Sequence, residues 1–141
     1  MGASALEEAK ELLRSAGTRI AVVGASNDRS KYGNVILRNL LGHGYRVFPV
    51  HPSEAAIEGL TAYRSLSDVP KPLHIVDVVT PPAVTSRVLE DAAAAGVGLV
   101  WLQDGSFDDA VLEAAAVAPF RIVHDACIMV FAGPSGYSPA Q

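Results

Sequence analysis

Five short apolar runs, each set off by glycine, proline or polar residues and separated by helical patterning, constrain this 141-residue chain more than any other feature. They are 19–23, 45–50, 74–79, 98–103 and 120–124. Each reads as an apolar run rather than an apolar–polar alternation, the pattern of strands covered by helices on both faces of a parallel sheet. The intervening segments carry helix signals. Ser4-Ala5-Leu6-Glu7 is a capping box that opens a helix over 4–16, which Gly17 stops. Residues 34–41 bring Val35, Ile36, Leu37, Leu40 and Leu41 together before the Gly42-His43-Gly44 break. Thr80-Pro81-Pro82 starts a helix that runs to Ala95, and Asp108 to Ala118 forms another. Residues 54–63 read as a loop, Leu66 to Pro70 as a short helical turn, and the Gly/Pro/Ser-rich stretch from about 133 as a loose tail. The expectation is one α/β domain over 1–141: a Rossmann-like open parallel sheet of five strands in the order 3-2-1-4-5, with helices on both faces.

Ligands of such sheets lie in the crevice at the carboxyl ends of the strands, where the strand order reverses. The order 3-2-1-4-5 puts that point between the first and fourth strands. The candidates for contact are Gly24-Ala25-Ser26, His51-Pro52, Thr80-Pro81-Pro82 and Gln103 with Asp104-Gly105. The first of these carries the clearest chemistry. Arg19 to Val23 is a buried strand, Gly24 permits a sharp turn, and Gly33-Asn34 begins the next helix. A helix start offers unpaired N–H groups and the positive end of its dipole to a phosphate. Arg29 and Lys31 add positive charge to the same loop. The spacing of Gly24 and Gly33 is too wide for the dinucleotide fingerprint G-x-G-x-x-G, so the loop points to a phosphate and to no particular nucleotide.

The second strand ends in Val50-His51-Pro52, without the acidic residue that NAD enzymes usually place there. Glu54 and Glu58 could replace it only by folding back. A ribose bearing a phosphate suits this pocket, which describes NADP and coenzyme A alike. A reductase would also need a proton donor beside the nicotinamide, and the chain has no Tyr-x-x-x-Lys pair.

Other classes are disfavoured by composition. A net charge of −4 leaves no electrostatic footprint for nucleic acid. No apolar run is long enough to span a bilayer, and the acidic N-terminus is unlike a signal peptide, so a cytoplasmic protein is expected. The single cysteine, Cys127, excludes an intrachain disulfide, and no residues stand at metal-ligand spacing. Trp101 reads as core, and Asp104 and Asp108 as charges at a helix start. His43 and His124 read as structural or surface residues, and Cys127 as a small hydrophobe. If the fifth strand continues through Asp125 and Ala126, His124 and Cys127 point to opposite faces, leaving the thiol without a base.

Four segments together resemble a known family. Ile20 to Ser26, Gly44 to Pro52, Val100 to Gln103 with Gly105, and His124 to Ile128 are similar, in order, to the small stand-alone CoA-binding proteins. These in turn are similar to the N-terminal domain of the succinyl-CoA synthetase alpha subunit. The resemblance covers roughly residues 18 to 130, and Thr80-Pro81-Pro82-Ala83 is similar to the synthetase's Pro-Pro loop. It implies CoA contacts from Gly24, Ala25, Ser26, Lys31, His51, Pro52, Thr80, Pro81 and Pro82. The chain departs from the family in lacking a proline in Asn27-Asp28-Arg29-Ser30 and in carrying His51 where an asparagine is common. The synthetase's phosphohistidine lies in a second domain, so ligase activity does not carry over. The expectation is a non-catalytic protein that binds CoA or acyl-CoA. The alternatives are an NADP-dependent reductase and a ligase-derived module that docks onto a protein partner.

Overall fold

The computed structural model describes residues 4–134. Helix α1 (Ala5–Leu13) is followed by β1 (Arg19–Val23), α2 (Tyr32–Gly42), β2 (Arg46–Val50) and a two-residue hairpin, β3 (Ala56–Ile57) and β4 (Leu60–Thr61). A 3₁₀ turn (Leu66–Asp68) leads to β5 (Ile75–Val78), α3 (Pro82–Ala94), β6 (Leu99–Leu102), α4 (Asp109–Ala116), β7 (Arg121–His124) and α5 (Ile128–Phe131). Local chemistry explains the helix starts. The Ser4 side chain accepts the Glu7 N–H at 3.1 Å, as the capping box requires. Asp108 accepts the Val111 N–H at 2.9 Å, and Pro82 stands in the first turn of α3.

The five long strands form one parallel sheet, and the fold class is the one expected: Rossmann-like α/β. Successive strand residues feed opposite cores. Ile20, Val22, Ile75, Leu99 and Trp101 pack under α1, α2 and α5, while Ala21, Val23, Val76, Val100 and Leu102 pack under α3, α4 and the 3₁₀ turn. Trp101 is fully buried, as expected of a core residue.

Strand order departs from the expectation. The sheet runs β2-β1-β5-β6-β7, or 2-1-3-4-5 counting only its own strands, where 3-2-1-4-5 was anticipated. The third long strand pairs directly with β1, Ile20 opposite Ile75 and Val23 opposite Val78, and is buried along its whole length. Strand β2 takes the edge, and Pro49 gives the reason. Arg46 N–H donates to Thr18 and Val50 accepts from Gly24, so residues 46, 48 and 50 bond toward β1. Pro49, one step out of phase, turns its missing N–H outward. Its carbonyl accepts the Tyr63 N–H, at 2.9 Å. An inner strand would forfeit a ladder bond at that proline. The reversal of order therefore falls between β1 and β5, moving the crevice to Gly24 and Thr80.

Three local expectations are also corrected. Helix α1 ends at Leu13, before the anticipated Ala16, and residues 56–61 form a hairpin rather than a loop, too short for any periodicity to betray it. Strand β7 stops at His124, where Asp125 takes a left-handed φ of 59°, so the alternation argument separating His124 from Cys127 does not apply. The expected loose tail lies almost wholly outside the described residues. Among those described, no helix is long and apolar enough to cross a membrane.

Candidate functional site

At the end of β1 the backbone turns through Gly24, with φ 99°, and passes into α2 at Tyr32. Two glycines make the turn possible. A side chain on Gly24 would meet Val79 Cγ2 at 2.9 Å, and one on Gly33 would overlap the Gly24 carbonyl. The first turn of α2 thus rests directly on the strand-end backbone. No side chain caps this helix, whose N-cap is the exposed Lys31. Among the described residues, the N–H groups of Ala25, Ser26, Tyr32 and Gly33 form no hydrogen bond. Ala25 and Gly33 are themselves buried, so among these positions Ser26, Lys31 and Tyr32 meet solvent, and there unpaired donors, a dipole end and one cation suit phosphate oxygens.

The hairpin folds back and fixes the outer side of this loop. Asn27 donates to the Ala56 carbonyl at 2.9 Å and accepts the Glu58 N–H at 3.1 Å. The Glu58 carboxylate takes Arg29 through two bonds, 2.8 and 3.2 Å, and the Asn34 amide at 2.9 Å. These bonds hold the Glu58 carboxyl down to about 2, with the Arg29 hydrogen bonds as the main cause. Arg29, expected as a phosphate contact, is thereby engaged by protein. Asn34 is wholly buried and braces the loop through the Ser26 carbonyl at 2.7 Å and Arg38 at 2.6 Å. Glu58 does fold back, but its oxygens are spent on Arg29 and Asn34. Within the loop, the Ser30 hydroxyl and N–H hold the Asp28 carboxyl below its ordinary value.

On the other side of Gly24 a cleft of about 340 Å³ opens between the ends of β1, β2 and β5. Gly24, Pro52 and Thr80 line it as expected, with Arg64 and Arg87 beside them, two residues that sequence reasoning missed. Arg64 was hidden because it falls between the patternless loop over 54–63 and the short turn at Leu66, in neither element. Arg87 was legible in principle, since Val84, Arg87, Val88 and Asp91 share one face of α3 at helical spacing. The Thr80 hydroxyl is tied to Thr85 at 2.8 Å, which fixes the Pro81-Pro82 entry to α3. His51 Nδ1 accepts the Ser53 and Glu54 N–H groups, at 3.1 and 3.0 Å, and so shapes the turn after β2.

Gln103 lies on the opposite face of the sheet, fully buried. Its amide donates to Asp77 at 2.6 Å and its oxygen faces the Tyr32 hydroxyl at 3.4 Å, which in turn stands 2.9 Å from Cys127 Sγ. Asp77 is wholly buried and its second oxygen has no partner among the described residues, and burial pushes its carboxyl up to about 7. Burial, reinforced by Cys127, likewise raises the Tyr32 phenol. The neighbour of Cys127 is thus Tyr32, whereas His124 pairs with Asp125. Sequence held no signal for this chain of contacts, whose members are 26 to 95 residues apart.

Residues 18–132 match the family model described as a CoA binding domain. An ADP-forming acetate–CoA ligase of Methanocaldococcus jannaschii is 28% identical over 117 residues, covering 77% of this chain and 17% of the ligase. The chain therefore spans about a sixth of that enzyme's length. The uncharacterized protein YneT of Bacillus subtilis is 27% identical over 123 residues, covering 87% of this chain and 90% of YneT. Among solved structures, a conserved hypothetical protein from Pyrococcus furiosus superposes with a TM-score of 0.77 at 39% identity, covering 80% of this chain and 97% of that one.

Proposed function

Because the chain belongs to the family of CoA-binding domains, we propose that it binds coenzyme A, free or acylated, and catalyses no reaction of its own. One observation carries this reading: the unpaired N–H groups of the Gly24 turn and the α2 start, beside a cleft at the point where strand order reverses. The pyrophosphate is assigned to the N–H groups of Ser26 and Tyr32, with Lys31 supplying charge. Gly24, Pro52, Thr80 and the Pro81-Pro82 turn are assigned to the nucleotide. Arg29, Asn34 and Gln103 hold the architecture, and Ala25 and His51 shape the turns around it. When bound, CoA supplies a thiol that carries acyl groups as thioesters. The contact between Tyr32 and Cys127 supports a non-catalytic reading, since a nucleophilic thiol needs a base or a positive field and Tyr32 supplies neither.

Thermal denaturation tests the ligand. At a hundredfold excess over Kd a ligand specific to the folded state adds about 2.7 kcal/mol, enough to raise Tm by several degrees. CoA is expected to do this, and NAD and NADP much less. Stabilisation by NADP with none by CoA would overturn the reading in favour of a reductase. Native mass spectrometry gives a second readout, because a co-purified CoA, acyl-CoA or NADP has its own mass. The absence of catalysis is tested by acyl-CoA hydrolysis. A rate well above background that is lost in Cys127→Ser would make the protein an enzyme.

A further inference from the structure

We infer that Arg64 and Arg87 form a clamp for a phosphomonoester on the ligand's adenosine ribose, separate from the loop that takes the pyrophosphate. The inference rests on the CoA reading and extends it. Both arginines line the cleft beyond Gly24, Arg87 from α3 and Arg64 from the segment before the 3₁₀ turn. Both residues are exposed, and neither forms an ion pair or hydrogen bond among the described residues. By contrast Arg14, Arg19, Arg29, Arg38 and Arg121 are each held by a carboxylate, an amide or a carbonyl. Two uncommitted arginines thus face one cleft whose remaining wall is largely apolar. Its Val84 is 48% exposed, an uncovered aliphatic surface beside Arg87.

The charge balance suits a monoester. Such a phosphate carries about −1.5 to −2 at neutral pH. Two arginines can each engage it through paired N–H donors, a geometry that lysine lacks. Asp91, one turn beyond Arg87, also lines the cleft and subtracts one charge, leaving the wall positive. Lys31 lies on the α2 side of Gly24, at the N-cap of that helix. The two cationic groups therefore serve two different phosphates.

Titration calorimetry on the full chain separates them, with CoA, dephospho-CoA, NADP and NAD as probes. Wild type is expected to bind CoA at least about tenfold tighter than dephospho-CoA. The exposed double variant Arg64→Gln/Arg87→Gln should erase that ratio while leaving dephospho-CoA affinity unchanged. Lys31→Ala should weaken both ligands and preserve the ratio, and Asp91→Asn should widen it. The clamp is overturned if the double variant keeps the wild-type ratio, or if Lys31→Ala alone abolishes it. CoA would remain the ligand in either case. If the wild type ignores CoA but discriminates NADP from NAD through the same two arginines, the clamp stands and the CoA reading falls. If it binds none of the four, both fall.

Discussion

The two ends of the sheet differ in a way that size alone would misjudge. At the amino ends a cleft of about 540 Å³ is lined by Glu8, Glu11, Leu73, His74, Gly98 and Arg121, among others, and it is the larger of the two. Its polar groups are largely committed to one another: Arg121 pairs with Glu8 at 3.1 Å, and His74 Nδ1 accepts the Arg19 N–H at 2.9 Å. At the carboxyl ends the cleft is about 340 Å³, yet its arginines and the adjoining backbone N–H groups have no partner among the described residues. One end uses its polar groups to hold the protein together. The other leaves them without a partner among the described residues. Unsatisfied chemistry, more than volume, marks the candidate site.

The largest test of this contrast sets one glycine against another. Gly33→Ala drives a Cβ into the Gly24 carbonyl, where only backbone can yield. A loss of about 3 kcal/mol or more is expected, at or beyond the upper end of overpacking costs, and with it any anion binding at the loop. Gly98→Ala, in the amino-end cleft, meets nothing within 4 Å. It is expected to stay within about 0.5 kcal/mol of wild type in urea denaturation. Comparable losses in the two variants would break the contrast.

A second, smaller effect concerns Asp77, whose buried second oxygen lies toward the carboxyl end of β5. Its folded value of about 7 stands above the unfolded one, so the folded state holds the extra proton between about pH 4 and 7. Stability from this group is present below that window and is lost as pH rises through it. Asp77→Asn cannot ionise, so its Tm relative to wild type should climb from pH 4 to pH 7 and then level off. A difference independent of pH would show that Asp77 is not protonated in the folded protein. Glu58 runs the opposite way, since its depressed carboxyl stabilises above pH 4.5 and loses its hold on the loop as pH falls toward about 2.

The smallest effect belongs to the amino end. Arg121→Ala removes an exposed pair with Glu8, so a loss of no more than about 1 kcal/mol is expected. Ligand affinity should not change. A clear loss of CoA binding in Arg121→Ala would move the functional surface to the wrong end of the sheet.

Much of the architecture was legible because long apolar strands leave a strong trace. All five were placed to within a residue or two, as were the glycine turn and the Pro81-Pro82 helix start. Strand order escaped the rule of thumb for dinucleotide sheets, although Pro49 held the information: a proline with an outward nitrogen belongs at an edge. The site was half legible. Gly24, Pro52 and Thr80 face the cleft, while Arg29 and Asn34 turned inward because Glu58 returns across 24 or more residues to meet them. Such contacts depend on the folded path of the hairpin, which local patterning does not encode.

The seating of Gly33 on the Gly24 carbonyl has a kinetic corollary. A loop wedged between strand and helix has already lost its conformational freedom during folding, so little remains to be ordered when an anion arrives. Association at this turn should therefore follow a single exponential whose rate rises linearly with ligand concentration and falls with added salt. Differences in affinity among phosphorylated ligands should then reside in how slowly each one leaves.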